Sequence, residues 1–337
     1  VKVGEEEAPP EEILIRRSRV RYNYFADLAK FLKEREKWDI LICHLHALDS
    51  LNHSPLFNML WSGHPQYRES RCERAWEVSA RLYQLLDEII GRVVNECGNE
   101  ETLTVVVSDH GCLPNSKVVW IGNALKRAGL LAYKKDPETG SISVDWSKTK
   151  AAFFFSPPEY IWVNLKGREP DGIVEPSEYD EVREEIIKAL YSIRDPETGE
   201  CPVTLALRKE EAEFLGHWGD RCGDVVFFVK AQYRIPNFNY EKLFPSAQKA
   251  LENLLSIGDV EPLNPRIGGT HYGHLPSSTL SPCTNKAFLL MQGPGVVQGY
   301  ERSKPIWMVD IAPTLTHFLN IPRLRQAEGS IIQDAIG

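Results

Sequence analysis

Val105-Val106-Val107-Ser108-Asp109-His110-Gly111 is the stretch on which the reading of this chain turns. Three β-branched residues in a row predict a buried strand, and the acid, imidazole and glycine that follow predict a loop at its carboxyl end. In an open α/β sheet that end is where ligands bind, so Asp109 and His110 form a candidate metal-binding pair. Read alone, the same residues also suit a helix cap, a surface histidine and a turn glycine. What lies on either side decides between the two.

Upstream, Trp38-Asp39-Ile40-Leu41-Ile42-Cys43 reads as another strand, with His44, His46, Asp49 and His53 in or just beyond its end. Between the two strands, residues 71–97 place Trp76, Ala80, Tyr83, Leu86, Ile90 and Val93 at helical spacing, and Gly98 follows as a stop. Strand, helix, strand predicts a βαβ unit with a right-handed crossover. Its two polar clusters then lie at one edge of one parallel sheet, which brings residues distant in sequence together.

Length and composition bound the rest. The 337 residues suffice for one large domain or two ordinary ones, and the 42% hydrophobic and 26% charged shares are those of a soluble globular protein. A net charge of -8 gives no electrostatic footprint for nucleic acid or an anionic membrane. A phosphorylated substrate would therefore draw its positive charge from metal ions or a few placed basic residues. The seven cysteines are scattered, odd in number and without a Cys-x-x-Cys pair, which argues against a disulfide framework and for a reducing compartment. No apolar run approaches the ~18 residues of a membrane span, and no secretory signal core is present, so a cytoplasmic location is expected.

Residues 1–18 are expected as a flexible lead-in, since the first ten hold three consecutive glutamates and two prolines, Pro9 and Pro10. Phe25, Leu28, Ala29 and Leu32 predict a helix over 19–37. Residues 118–131 predict another helix, 177–193 a further one opened by a capping box, and 224–229 a buried strand. Asp-Pro-Glu-Thr-Gly occurs twice, at 136–140 and 195–199, as turn chemistry rather than a domain repeat. Residues 236–269 are rich in Pro, Asn and Gly, with a short helix expected over 246–255, and an irregular insertion is expected around 134–270. Residues 287–291 read as a strand, and Asp310 as the cap of a closing helix.

Asp49 and His53 form Asp-x-x-x-His, Asp109 and His110 are adjacent, and His271 sits in Gly268-Gly269-Thr270-His271-Tyr272-Gly273-His274. Hard and borderline ligands grouped in this way suit two divalent ions ~4 Å apart that clamp a phosphoryl group. Each cluster alone has a plainer reading, a helix cap with its neighbour or a glycine-rich turn bearing exposed histidines. Their joint placement after separate strands favours the metal reading. Lys166 and Arg168 could offer charge to a phosphate, although a solvated turn is the expectation.

The ordered triple Asp49-x-x-x-His53, Val107-Ser108-Asp109-His110-Gly111 and Gly269-Thr270-His271 resembles the alkaline phosphatase superfamily, in particular its type I phosphodiesterase/nucleotide pyrophosphatase family. The segments Asn164-Leu165-Lys166-Gly167-Arg168-Glu169-Pro170, Gly293-Pro294-Gly295 and Met308-Val309-Asp310-Ile311-Ala312-Pro313-Thr314 look like that branch as well. The resemblance implies an α/β fold, an alkaline-phosphatase-like three-layer sandwich with a mostly parallel central sheet, spanning residues 19–337. It implies hydrolysis of phosphodiester or pyrophosphate bonds of a small phosphorylated substrate.

It also implies two divalent cations, zinc in the first place, with manganese or iron compatible. Asp49, His53 and His271 would bind the first ion and Asp109 and His110 the second, with His274 facing substrate. Tyr272 stands where the family has Gly and is read as an insertion; His271 is favoured over His274 as the ligand. The family's upstream Asp ligand and Thr or Ser nucleophile have no counterpart before Asp49, so the catalytic nucleophile is left unassigned. The chain is expected to correspond to the C-terminal portion of such an enzyme, with a fold incomplete at its N-terminal side. A non-catalytic metal-binding fragment is the alternative, and a phosphomonoesterase, sulfatase or phosphomutase of the same superfamily is another. Exposed sheet edges and apolar surface would then favour self-association.

Overall fold

The computed structural model describes residues 9–140, 142–152, 159–236 and 258–337. Its helices are α1 (Pro10–Arg35), α2 (Ala47–Asn52), α3 (Glu69–Cys97), α4 (Ile121–Arg127), α5 (Tyr179–Ser192) and α6 (Ile311–Phe318). Its strands are β1 (Thr104–Val107), β2 (Lys117–Val119), β3 (Tyr133–Lys135), β4 (Ile142–Val144), β5 (Ala151–Ala152), β6 (Tyr160–Val163), β7 (Val203–Arg208), β8 (Val225–Val229), β9 (Tyr233–Arg234), β10 (Val260–Pro262), β11 (Thr279–Leu280), β12 (Cys283–Thr284) and β13 (Leu289–Gln292). The chain divides into two compact units: unit 1 comprises Val1–Leu51, Glu73–Gly111 and Lys286–Gly337, and unit 2 comprises Asn52–Cys72 and Cys112–Asn285.

In unit 1, α1 opens with Pro10 at its first turn beside Glu11 and Glu12, and closes with Lys33 and Arg35, charges that suit the helix dipole at each end. It buries Ile15, Ser18, Tyr22, Ala26 and Ala29 along one stripe. Ion pairs run in step along α1 and α3, from Glu12 with Arg74 and Arg81, through Arg19 with Glu88, to Asp27 with Arg92. The two helices therefore lie side by side in the same direction. At such exposure these pairs set register more than stability.

β1 pairs antiparallel with β13, Val105 opposite Met291 and Val107 opposite Leu289.

Unit 2 holds the larger core. Its four-stranded antiparallel sheet has the order β5-β6-β8-β7. β8 is buried throughout because its alternate residues face two apolar clusters. Val225, Phe227 and Val229 join Ile161, Val163, Ile186 and Leu190, while Val226 and Phe228 join Ala212 and Cys222. A separate three-stranded sheet has the order β10-β2-β9.

The mixed α/β class agrees with the sequence, as do β8, α5 and β13. Several local expectations differ. Residues 38–43 form no strand, and Ile40 and Ile42 are 57% and 86% exposed. A strand needs a neighbour for its ladder hydrogen bonds, and among the described residues none pairs with this segment. The strands form small sheets rather than one long parallel sheet, and of the named pairs only β2–β9 is parallel. α1 begins nine residues earlier than the expected helix start at residue 19, on the proline-glutamate run. α3 buries Ala75, Val78, Leu82, Leu85 and Ile89 and leaves Trp76 and Tyr83 exposed, because both of its faces are apolar at helical period and packing selects one. Residues 118–119 are strand before α4 begins. The short helix expected over 246–255 falls outside the described residues.

Candidate metal centre

In unit 1, Asp49 lies in the first turn of the short helix α2, and Asp109 and His110 follow the end of β1 at Val107. The fold brings the three together. His110 Nε2 stands 3.9 Å from Asp49 Oδ1 and 3.5 Å from Asp109 Oδ2. Asp49 and His110 are largely sheltered, with side chains 22% and 23% exposed, whereas Asp109 is 75% exposed. On its other side, Asp49 Oδ2 accepts a hydrogen bond from His46 Nε2 at 2.6 Å.

In unit 2, the glycine-rich loop carrying His271 is pressed against the segment carrying His53. A Cβ on Gly268 would lie 2.2 Å from the Ser54 carbonyl oxygen, and one on Gly269 2.6 Å from that of Leu113, so only glycine permits the approach. Gly269 N–H donates to the Asn52 carbonyl (2.9 Å), and Leu113 and Thr270 exchange backbone hydrogen bonds. The result sets the His53 and His271 rings 5.3 Å apart. Tyr272, read as an insertion, accepts a hydrogen bond from Arg234 at its hydroxyl (2.7 Å), and the same guanidinium donates to the carbonyls of Gly268 and Gly269.

The histidines share a feature that bears on their chemistry. His53 Nδ1 donates to the Gly269 carbonyl (2.9 Å) and His110 Nδ1 to that of Gly111 (2.7 Å). A carbonyl can only accept, so each ring carries a proton on Nδ1 and leaves Nε2 clear of that bond, the arrangement in which metal-binding histidines are held. Within unit 1, His110 with Asp49 and Asp109 makes a mixed O/N donor group suited to a divalent cation.

His274 is placed differently. It is 4% exposed and gives Nδ1 to the Val229 carbonyl (3.1 Å), and burial pushes its pKa down to about 4, so it is neutral. Its Nε2 is buried with no hydrogen-bond partner among the described residues.

Two side chains differ from their sequence reading. Arg168 is no solvated turn residue: its guanidinium makes two bonds to the fully buried Asp224, at 2.8 and 2.6 Å. Lys166 pairs with Glu175 at the surface. His46, read as a strand-end residue, is engaged with Asp49; the signal for it was only its spacing three residues before the acid.

A profile of the family described as type I phosphodiesterase / nucleotide pyrophosphatase matches residues 13–253, which include Asp49, His53, Asp109 and His110 and end before His271. A search of curated proteins finds no match. Among solved structures, the chain is similar to a quadruple mutant of the alkaline phosphatase PafA, at 18% identity and a TM-score of 0.46, covering 87% of this chain and 46% of that one. It is also similar to wild-type PafA, at 17% identity and a TM-score of 0.43, covering 81% and 44%. The chain thus spans less than half the length of either.

Proposed function

The chain belongs to the type I phosphodiesterase/nucleotide pyrophosphatase family, and from that premise we propose that it supplies the metal-binding part of a two-metal hydrolase of phosphodiester or pyrophosphate bonds. Asp49, His53 and His271 are assigned to one ion and Asp109 and His110 to the other. Zinc is the favoured metal for this carboxylate and imidazole set. When bound, the ions supply Lewis-acid charge to a phosphoryl group. The protein's own contribution is to hold the donors. The carbonyls of Gly269 and Gly111 hold the Nδ1 protons of His53 and His110, and Gly268 and Gly269 allow the close approach of the His271 loop. The observation that carries this reading is the pair of imidazoles with Nδ1 tied to backbone, the second of them beside Asp49.

His274 is assigned to the substrate side, as a neutral acceptor through Nε2. The substrate is a small phosphorylated molecule, and the nucleophile is left unassigned. The seven free cysteines support a reducing compartment, the cytoplasm, and no helix among the described residues is long and apolar enough to cross a membrane. Exposed Ile42, Trp76, Tyr83 and Trp307 on unit 1 support self-association.

Elemental analysis after gel filtration tests the centre. Wild-type protein should retain a divalent metal that the Asp49→Ala, His271→Ala double variant loses, and equal metal content in the two overturns the assignment. With no nucleophile assigned, this chain by itself is expected to hydrolyse bis-p-nitrophenyl phosphate poorly or not at all while still binding metal, and rapid turnover overturns that expectation.

A further inference from the structure

We propose that His46 is a positioning residue for the metal-binding carboxylate of Asp49, an inference that rests on the assignment of Asp49 made above. Its Nε2 lies 2.6 Å from Asp49 Oδ2, and since an ionised carboxylate can only accept, the imidazole donates its Nε2 proton. The backbone ties donor and acceptor to one another. The His46 carbonyl accepts from Ser50 N–H (3.2 Å) and from Ser50 Oγ (3.1 Å), so His46 is joined to the same first turn of α2 that carries Asp49.

The ring plane is set from outside. The His44 imidazole stacks on that of His46 with centroids 5.3 Å apart and planes 23° from parallel. His44 and His46 thus act in series on one oxygen of the acid.

The consequence concerns the other oxygen. With Oδ2 held by His46, Asp49 turns Oδ1 toward His110 Nε2, 3.9 Å away. Oδ1 is therefore the oxygen Asp49 would offer to a cation. The partner also fixes the side-chain torsion that a long-range approach of metal would otherwise have to select. Such outer-shell hydrogen bonds to ligand carboxylates and imidazoles are worth about 10–100-fold in metal affinity. An ordinary surface pair of the same exposure, 55% for His46, would leave metal affinity unchanged.

Zinc binding to the metal-free full chain, measured by calorimetric titration, separates the cases. His46→Ala is expected to weaken zinc about tenfold or more, with the unfolding midpoint of the metal-free protein unchanged. His46→Gln, which can offer an amide N–H to the same oxygen, is expected to recover most of the affinity. Wild-type affinity in His46→Ala overturns the proposal. So does His46→Gln binding as weakly as His46→Ala, because the imidazole would then be acting as a ligand itself. Asp49→Ala distinguishes the premise: undiminished zinc binding in that variant removes the metal assignment and the role of His46 with it, whereas weakened binding there with an unaffected His46→Ala removes only the role of His46.

Discussion

Asp195 and Asp224 in unit 2 and Asp49 in unit 1 are all shielded carboxylates, and their partners are of different kinds. Asp224 receives two bonds from Arg168, one from the Tyr179 hydroxyl (2.6 Å) and one from Val163 N–H (2.7 Å). Asp195 receives the Lys117 ammonium, the Tyr233 hydroxyl (2.6 Å) and the Glu197 N–H (3.0 Å). Fixed cations and N–H or O–H groups neutralise these acids completely, and their task is to hold the unit together. Asp49 is bonded to the His46 imidazole and lies 3.9 Å from that of His110. An imidazole can donate a proton or present a lone pair, so this grouping can admit a cation that the saturated pairs of unit 2 would exclude. The contrast separates carboxylates that serve the fold from the carboxylate assigned to chemistry.

The strongest way to break the contrast is to remove the cation from a saturated pair. Lys117 is 14% exposed and Asp195 1%, so Lys117→Met leaves a buried carboxylate without its counter-ion and should cost about 3–5 kcal/mol of stability. Urea unfolding reads the loss. Zinc affinity of the molecules that remain folded should not change, and a loss of affinity would erase the distinction between the two kinds of acid.

Acid tests the same pair without mutation. Burial disfavours the ionised form of Asp195, but the Lys117 ammonium and the Tyr233 hydroxyl outweigh it and hold the pKa at about 2, below the ordinary 3.8. A depressed carboxyl stabilises the fold above its unfolded value and loses that contribution as pH falls through the folded one. Stability should therefore drop between pH 3.8 and about 2, by on the order of 2 kcal/mol from this group. In Asp195→Asn the loss across that window should be smaller by the same amount; an unaltered acid limb would show that the pair contributes nothing.

How much of this could be read from residues alone depended on the distance over which each feature is decided. β8 was legible because its apolar run is itself the cause of its burial. The ligand candidates were legible because Asp49, His53, Asp109, His110 and His271 stand in short motifs, and they fall into local groups within the two units. Residues 38–43 were misread because strand pairing requires a partner that a local pattern cannot supply. The buried face of α3 was misread because Trp76 and Tyr83 have the same period as Leu82 and Ile89. Arg168 was misread because Asp224 lies 56 positions away, and nothing at Arg168 announces it.

The two Asp-Pro-Glu-Thr-Gly turns show the same division within one motif, and give a smaller test. Both close with the glycine N–H on the aspartate carbonyl, at 2.9 Å for Gly140 and 2.8 Å for Gly199, and both glycines have left-handed φ, 71° and 72°. The turn is local and repeats. The side chain does not: Asp136 accepts from Glu138 and Thr139 N–H in solvent, whereas Asp195 is buried with Lys117. Gly140→Ala and Gly199→Ala should each cost about 1 kcal/mol, the penalty of a side chain in left-handed backbone. Equal values by urea unfolding support a purely local turn, and a much larger loss at Gly199 would show that the Asp195 pair depends on it.

The smallest effect on stability is expected where the effect on metal is largest. Asp49→Asn keeps an oxygen that can accept from His46 and removes the charge. The ion-pair neighbours named for Asp49, His46 and His110, are imidazoles that do not require its charge for the fold, so stability should stay within about 0.5 kcal/mol of wild type. Lys117→Met and Asp49→Asn thus form opposite halves of one experiment, the first losing stability at constant zinc affinity and the second losing zinc affinity at constant stability. If Asp49→Asn instead destabilises the metal-free chain by as much as Lys117→Met, then Asp49 belongs with Asp195 and Asp224 as an acid the fold requires.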